Sequence, residues 1–326
     1  MNNNNKRVPW ARYALSMAAI TLFSAAYAGN SRYNFLRNKT RTSFNFTIVN
    51  NLIVIPAKIN GMDLNLILDS GMRSIVLFER DFGDKIKTLD NYTVKLSGYG
   101  KKKNLPSKLS LDNEVIIADV LGSKVPVVIM SESNMLRKAL VNIDGIIGYE
   151  IFSRFIVKID YLNKKITLHE PFDNPENYNY EILPLTVKDT KPYIQASVET
   201  DDGETIKGQF HIDTGSYHDV MLFVADQDNL NFKDLDYTSL GIGIGGRVKG
   251  FVAPESSLKI GSDMNKRISP KYVKRQFSNR ELDAKGSIGS GLLKDSVIVL
   301  DYINMKFYIQ KEPVLINQFA MSSVDI

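Results

Sequence analysis

A chain of 326 residues, 44% of them hydrophobic, can bury the cores of two ordinary domains and is too apolar to be disordered. It has no cysteine, so core packing rather than disulfides must hold it, and no lipid can be attached through sulfur. The formal charge of +5 overstates its basicity: three of 41 basic residues and none of 36 acidic ones lie in residues 1–28, leaving 38 against 36, so charge gives no argument for nucleic acid.

Residues 1–28 have the layout of a secretory signal peptide, with Lys6, Arg7 and Arg12, a mostly apolar stretch from Tyr13 to Ala25, and Ala26-Tyr27-Ala28 as a small-x-small cleavage site. An uncleaved anchor is the alternative, but the apolar run is short for a bilayer. Residues 29–44 are polar and basic, and a flexible segment is expected there. A first β-rich unit is expected over 45–170, and it contains the apolar run Leu66-Ile67-Leu68 ending in Asp69-Ser70-Gly71. Further on come the glycine-rich stretch Leu96-Ser97-Gly98-Tyr99-Gly100 with Lys101-Lys102-Lys103 after it, a short helix over 133–141, and Ile146-Ile147-Gly148. Turn formers mark a linker over 171–181. A second unit is expected over 182–312, with a strand over 193–198, Phe210-His211-Ile212 leading into Asp213-Thr214-Gly215, and a second glycine-rich stretch, Gly241-Ile242-Gly243-Ile244-Gly245-Gly246. It continues with a basic stretch over 266–275, expected as a solvated loop, then Ser287-Ile288-Gly289 and a short helix over 292–295. A tail of 313–326 completes the chain.

The two units repeat one another. The Asp-Ser/Thr-Gly triplets stand 144 residues apart, and an apolar segment ending in glycine lies 79 residues after Asp69 and 76 after Asp213. Beyond those glycines, Phe155 to Ile166 aligns without a gap against Ser296 to Phe307, and Asp-Tyr-x-Asn-x-Lys recurs intact. Each block reads as strand, turn, strand, so a β-rich unit of more than 100 residues is duplicated. A carboxylate at the end of a buried strand is costly unless partnered or used. Two of them in matching positions suggest two carboxylates that meet face to face.

On these motifs the chain resembles the pepsin- and retropepsin-type aspartic proteases in their two-lobed, single-chain form. The resemblance implies an all-β fold of two homologous β-barrel lobes with the active site in the cleft between them. Carried onto this sequence, it makes Asp69 and Asp213 the catalytic pair. Ser70 and Thr214 would brace the two loops, Gly71 and Gly215 would make their turns, and Gly148 and Gly289 would support them from behind. Two close carboxylates share one proton, and one acts as base while the other acts as acid on a peptide carbonyl. That chemistry needs neither a covalent intermediate nor a cofactor, and no metal is expected.

After the first triplet comes Met72, where the pepsin-like members usually carry a hydroxyl; the second loop has Ser216. A hydroxyl there can bond its aspartate and favour the charged form, so Asp213 is expected to ionise the more readily. The glycine-rich stretches fall where the family's flaps lie, with Tyr99 and Gly243 as flap candidates. The second stretch also satisfies Gly-x-Gly-x-x-Gly, but Arg247 to Pro254 reads as a strand where a dinucleotide site needs a helix, which disfavours a nucleotide. His211 shares a strand face with Asp213 and is a candidate for the substrate cleft, with a histidine bonded to backbone as the plain alternative. A set of His211, Asp213 and His218 lacks a recognised metal spacing. The expected activity is an aspartic endopeptidase, secreted or in the periplasm or cell envelope, acting as a monomer on a peptide or protein substrate. No stable membrane anchor is expected after signal removal. An inactive bilobed binding module is the alternative.

Overall fold

The computed structural model describes residues 32–90, 92–100, 104–131, 134–172, 179–224, 235–262, 264–274 and 284–310. The expected signal peptide and the C-terminal tail therefore lie outside the described residues, as do Lys101 to Lys103. Strands make up 59% and helices 6% of the described residues, which are therefore nearly all β. The short helices are Asn134–Ala139, Tyr149–Phe152 and Ser290–Leu293. The second was not anticipated, and the third begins two residues before the helix read at 292–295.

Three sheets carry the architecture: one of nine strands from the first half of the chain, one of ten from the second, and one of six drawn from both. The first two share a local design. In the first half, Gly145–Ile147 inserts between Met62–Leu68, to which it is parallel, and Ile75–Phe78, to which it is antiparallel. In the second half, Gly286–Gly289 inserts in the same way between Thr205–Asp213 and Val220–Val224. A parallel neighbour has to arrive by a long crossover, and each crossover contains that half's glycine-rich stretch. The register sets Ile147 against Leu68 and Gly289 against Asp213, so each supporting glycine segment ends beside its aspartate.

The six-stranded sheet joins the halves. Its centre is the antiparallel pair Ile156–Asp160 and Val297–Asp301, with Val157 opposite Leu300 and Ile159 opposite Ile298. Each strand turns back on itself through the repeated Asp-Tyr-x-Asn motif, and the structure shows why the motif recurs. Asp160 accepts from the Asn163 amide and side chain at 2.9 Å each, and Asp301 does the same for Asn304 at 2.9 and 2.8 Å. The next residue, Lys164 or Met305, turns at φ of 50° or 54°, so the aspartate and asparagine hold a tight left-handed corner.

Three expectations about organisation need correction. The segment 29–44 is not a free arm: Arg32–Phe35 pairs with Val120–Met130, and Arg41–Asn45 pairs with Lys165–His169. Arg154 fixes this region by donating to the Tyr33 carbonyl at 2.9 Å and gripping Glu170 with two bonds of 2.7 Å. The expected linker likewise ends in a strand, Tyr180–Pro184, paired with Lys306–Gln310. The basic stretch over 266–275 is not a loop, because its cations alternate with buried Ile268, Tyr272 and Val273 in two strands. Met264–Ile268 pairs with Ser256–Ile260, and Lys271–Lys274 runs parallel to Val220–Val224. Beside a smaller buried cluster in each half, the main core is shared. One buried cluster runs from Tyr33 and Phe46 through Phe152 and Phe155 to Phe210, Leu300 and Phe307, because the shared sheet presents apolar side chains to both halves.

Candidate active site

Each aspartate is delivered by the end of a buried strand. Asp69 comes directly after Leu68, whose strand buries Leu64, Leu66, Ile67 and Leu68, and Asp213 closes the strand that buries Phe210, His211 and Ile212. Apolar flanks fix both strands in depth, so Asp213 is buried and Asp69 half-buried.

The two loops grip each other through their hydroxyl residues. The Ser70 amide donates to Thr214 Oγ1 at 2.9 Å and Ser70 Oγ donates to the Ile212 carbonyl at 2.6 Å. Reciprocally, the Thr214 amide donates to Ser70 Oγ at 3.1 Å and Thr214 Oγ1 donates to the Leu68 carbonyl at 2.8 Å. Ser70 and Thr214 are fully buried, so four bonds with no competing water lock the loops in register. A Cβ on Gly215 would collide with the Asp69 carboxyl group, approaching Oδ1 at 2.8 Å. The carboxyl group of the first loop thus lies over the glycine of the second.

The supporting glycines are required by space. A Cβ on Gly148 would strike the Asp69 carbonyl oxygen and come within 2.8 Å of the Met72 carbonyl oxygen. One on Gly289 would strike the His218 carbonyl oxygen and come within 2.7 Å of that of Ser216. All four obstacles are backbone atoms of the aspartate loops, which cannot give way without moving the aspartates.

Burial raises both carboxyl pKa values, and hydrogen bonds then separate the two. On Asp69 the rise is opposed by the amides of Gly71 and Met72, the first donating to Oδ1 at 2.7 Å, and by the charge of Lys191. On Asp213 burial is reinforced by the neighbouring Asp69 charge and pushes the pKa up to about 8, against the same Lys191 charge and the Gly215 amide, which donates from 3.2 Å. The closer amide contact at Asp69 favours the charge there and the shared proton on Asp213. The expectation built on Ser216 has no side-chain bond behind it. That residue meets Asp213 through its backbone, the amide donating to the Asp213 carbonyl at 3.1 Å, and its hydroxyl makes no bond to the carboxylate.

His211 is buried rather than set in an open cleft. Its ring lies 5.5 Å from that of Tyr193, and a Cβ on Gly71 would meet its Cε1 at 2.8 Å. Burial and the Lys191 charge hold its pKa well below the usual value, so the imidazole is neutral and the 3.7 Å approach of Nδ1 to Asp213 is not an ion pair. His218 is likewise neutral, its pKa lowered to about 4 by burial and by Lys271, whose Nζ stands 2.6 Å from its Nδ1.

The glycine-rich stretches meet across the halves. The second forms a hairpin, Tyr237–Gly243 with Gly246–Val252, closed by Ile244-Gly245, which leaves no helix for a dinucleotide. The Gly245 amide donates to the Tyr99 carbonyl at 2.8 Å, while Gly243 stands so close to Tyr99 that a Cβ there would press its side chain at 2.8 Å. The Tyr99 ring packs near Phe223, centroids 6.3 Å apart, and against the small cluster of Met221, Leu240, Val248 and Val273. In exchange, Ile242 and Ile244 pack with Met72 on the cluster of the first half. Met72 thus packs on the same apolar cluster as the tip of the opposite hairpin.

Two further residues reach the loops without having been singled out by sequence. Tyr302 donates to the Ser70 carbonyl at 2.9 Å, and Tyr161 lies 3.2 Å from Ser290 Oγ, which donates to the Thr214 carbonyl at 2.9 Å. Their signal was the tyrosine of the repeated Asp-Tyr-x-Asn motif, which the turn itself does not need.

No family model matches the chain, and neither does any curated protein. Among solved structures, basic 7S globulin from soybean aligns over 84% of this chain and 95% of its own, with 12% identity and a TM-score of 0.48. A likeness that slight carries nothing about activity. No helix among the described residues is long and apolar enough to cross a membrane.

Proposed function

We propose that the protein is an aspartic endopeptidase of the pepsin and retropepsin type, with Asp69 and Asp213 as its catalytic pair and a lobe on either side of them. The observation that carries this reading is the crossed grip of Ser70 and Thr214, with the half-buried Asp69 carboxyl group lying over the loop of buried Asp213. Two neighbouring carboxyl groups, one buried and one half-buried, are costly to a fold that makes no use of them. In the proposed reaction charged Asp69 takes a proton from a water molecule, which attacks the peptide carbonyl. Protonated Asp213 donates to the carbonyl oxygen as it becomes a hydroxyl. The resulting diol collapses, the C–N bond breaks, and the leaving nitrogen receives a proton from the pair. The facing hairpins at Tyr99 and Gly243 would cover a bound chain and exclude bulk water. With the segment 1–28 read as a signal peptide, the substrate is a peptide or protein outside the cytoplasm.

The test is hydrolysis of a diverse peptide mixture by the chain from Gly29 onward. Asp69→Asn and Asp213→Asn should each lower turnover by about a thousandfold or more while the proteins stay folded. Cleavage that survives in either variant contradicts the assignment, and a folded wild-type chain that cleaves nothing favours a binding module.

A further inference from the structure

The peptide unit between Ser70 and Gly71 has a partner at each end. Its carbonyl accepts the Tyr302 hydroxyl at 2.9 Å, and its N–H donates to Asp69 Oδ1 at 2.7 Å. The peptide unit between Thr214 and Gly215 is used in the same way. Its carbonyl accepts Ser290 Oγ at 2.9 Å, and its N–H donates to Asp213 Oδ1 at 3.2 Å. Because Ser290 has one proton and gives it to Thr214, the bond of 3.2 Å between Ser290 and Tyr161 must be donated by the tyrosine.

We propose that Tyr302 and Tyr161 are positioning residues: each sends a hydrogen bond through one loop peptide to the aspartate of the opposite half. The proposal rests on the reading of Asp69 and Asp213 as a catalytic pair. The chains are crossed, since Tyr302 of the second half acts on Asp69 of the first and Tyr161 of the first half acts, through Ser290, on Asp213 of the second. A peptide whose carbonyl accepts a hydrogen bond is polarised and becomes a stronger donor at its N–H. The chain to Asp69 is direct and the chain to Asp213 is one hydroxyl longer. The first half has no counterpart to Ser290, because the residue after its supporting glycine is Tyr149, whose ring stands 6.4 Å from that of Tyr302. The direct chain therefore favours the charge on Asp69.

Packing alone does not account for the hydroxyls. The Tyr302 ring stacks on Phe152 at 5.4 Å and the Tyr161 ring meets Phe46 edge-on at 6.0 Å, contacts that phenylalanine would also make. Burial raises the pKa of both phenols, so they remain donors at any working pH. The other groups acting on Asp69 and Asp213 are Lys191, His211 and the aspartates themselves, and the phenols face Asp69, Asp213 and Tyr149. None of these is altered by removing a phenol hydroxyl.

The experiment is a carbon-13 NMR titration of aspartate carboxyl signals, assigned by difference with Asp69→Asn and Asp213→Asn, in the full folded chain. Tyr302→Phe should move the Asp69 titration up by as much as about 0.5 pH unit, with the acidic limb of peptide hydrolysis moving alongside and KM unchanged. Tyr161→Phe and Ser290→Ala should move the Asp213 titration upward, and they carry the test if Tyr302→Phe does not fold. Folded variants whose carboxyl titrations superimpose on the wild type overturn the proposal. The titration needs no turnover: shifted signals in a chain that cleaves nothing would keep the relay and sink the peptidase reading, while cleavage with unshifted signals would do the reverse.

Discussion

At the scale of single residues, the site is defined by what cannot be substituted. Gly148 has no room for a methyl group, because its neighbours are the Asp69 and Met72 carbonyl oxygens, which belong to the loop it supports. Gly148→Ala should therefore cost about 3 kcal/mol, read as a lowered denaturant midpoint, and reduce turnover in whatever fraction still folds. Glu150 makes a different kind of prediction. It lies two residues beyond that glycine, accepts from the Ile75 amide at 3.1 Å, leaves a buried Oε2 unpartnered, and has its pKa raised by desolvation from 4.5 to about 8. A folded-state pKa above the unfolded value means that the stabilising form is the protonated one. Its contribution is complete below pH 4.5 and is lost as pH rises through about 8. Glu150→Gln should raise Tm by roughly 5 °C at pH 8 and leave it unchanged near pH 4.5, measured by thermal unfolding at both values.

At the scale of elements, closure is the part that the proposed function gives to the glycine-rich hairpins. Gly243 abuts Tyr99, so Gly243→Ala should push the two glycine-rich loops apart, lowering kcat/KM about tenfold while Tm changes by only a few degrees. Unaltered steady-state kinetics would remove both loops from the site. How far the elements were legible from sequence depended on where their partners lie. The repeated strand–turn–strand blocks were readable because their pairing is local and their turns are made by Asp160 with Asn163 and by Asp301 with Asn304. The strands at Arg32–Phe35 and Arg41–Asn45 were not, because they are polar edge strands whose partners lie some 80 to 130 residues away. Sequence placed both aspartates, both bracing hydroxyls and both supporting glycines. It missed the phenols of Tyr161 and Tyr302 because a tyrosine beside a turn looks like a surface residue until the opposite half is folded onto it.

At the scale of the molecule, two halves are joined by one shared sheet, one continuous core and one knot of four hydrogen bonds between the aspartate loops. Ser70→Ala removes the two bonds made by the Ser70 hydroxyl, and it strands the Ile212 carbonyl and the Thr214 amide on the opposite loop. It should cost about 2–3 kcal/mol in chemical unfolding, and Ser70→Ala with Thr214→Ala together should cost less than the sum. Additive losses would mean that the loops do not act as one unit. The departure from two independent lobes has the same origin. Apolar faces on Ile156–Asp160 and Val297–Asp301 look like half-sites in sequence and find each other only in the folded chain.

Asp69 and Asp213 are proposed to work as a pair holding one proton, and the pH dependence of kcat/KM on a cleaved peptide reads that proton. The predicted profile is a bell whose acidic limb reports ionisation of Asp69 and whose alkaline limb, near the value of about 8 to which Asp213 is raised, reports loss of the shared proton. A rate that rises with pH and then stays level well above that value would contradict the account, because chemistry would then continue with no proton on the pair.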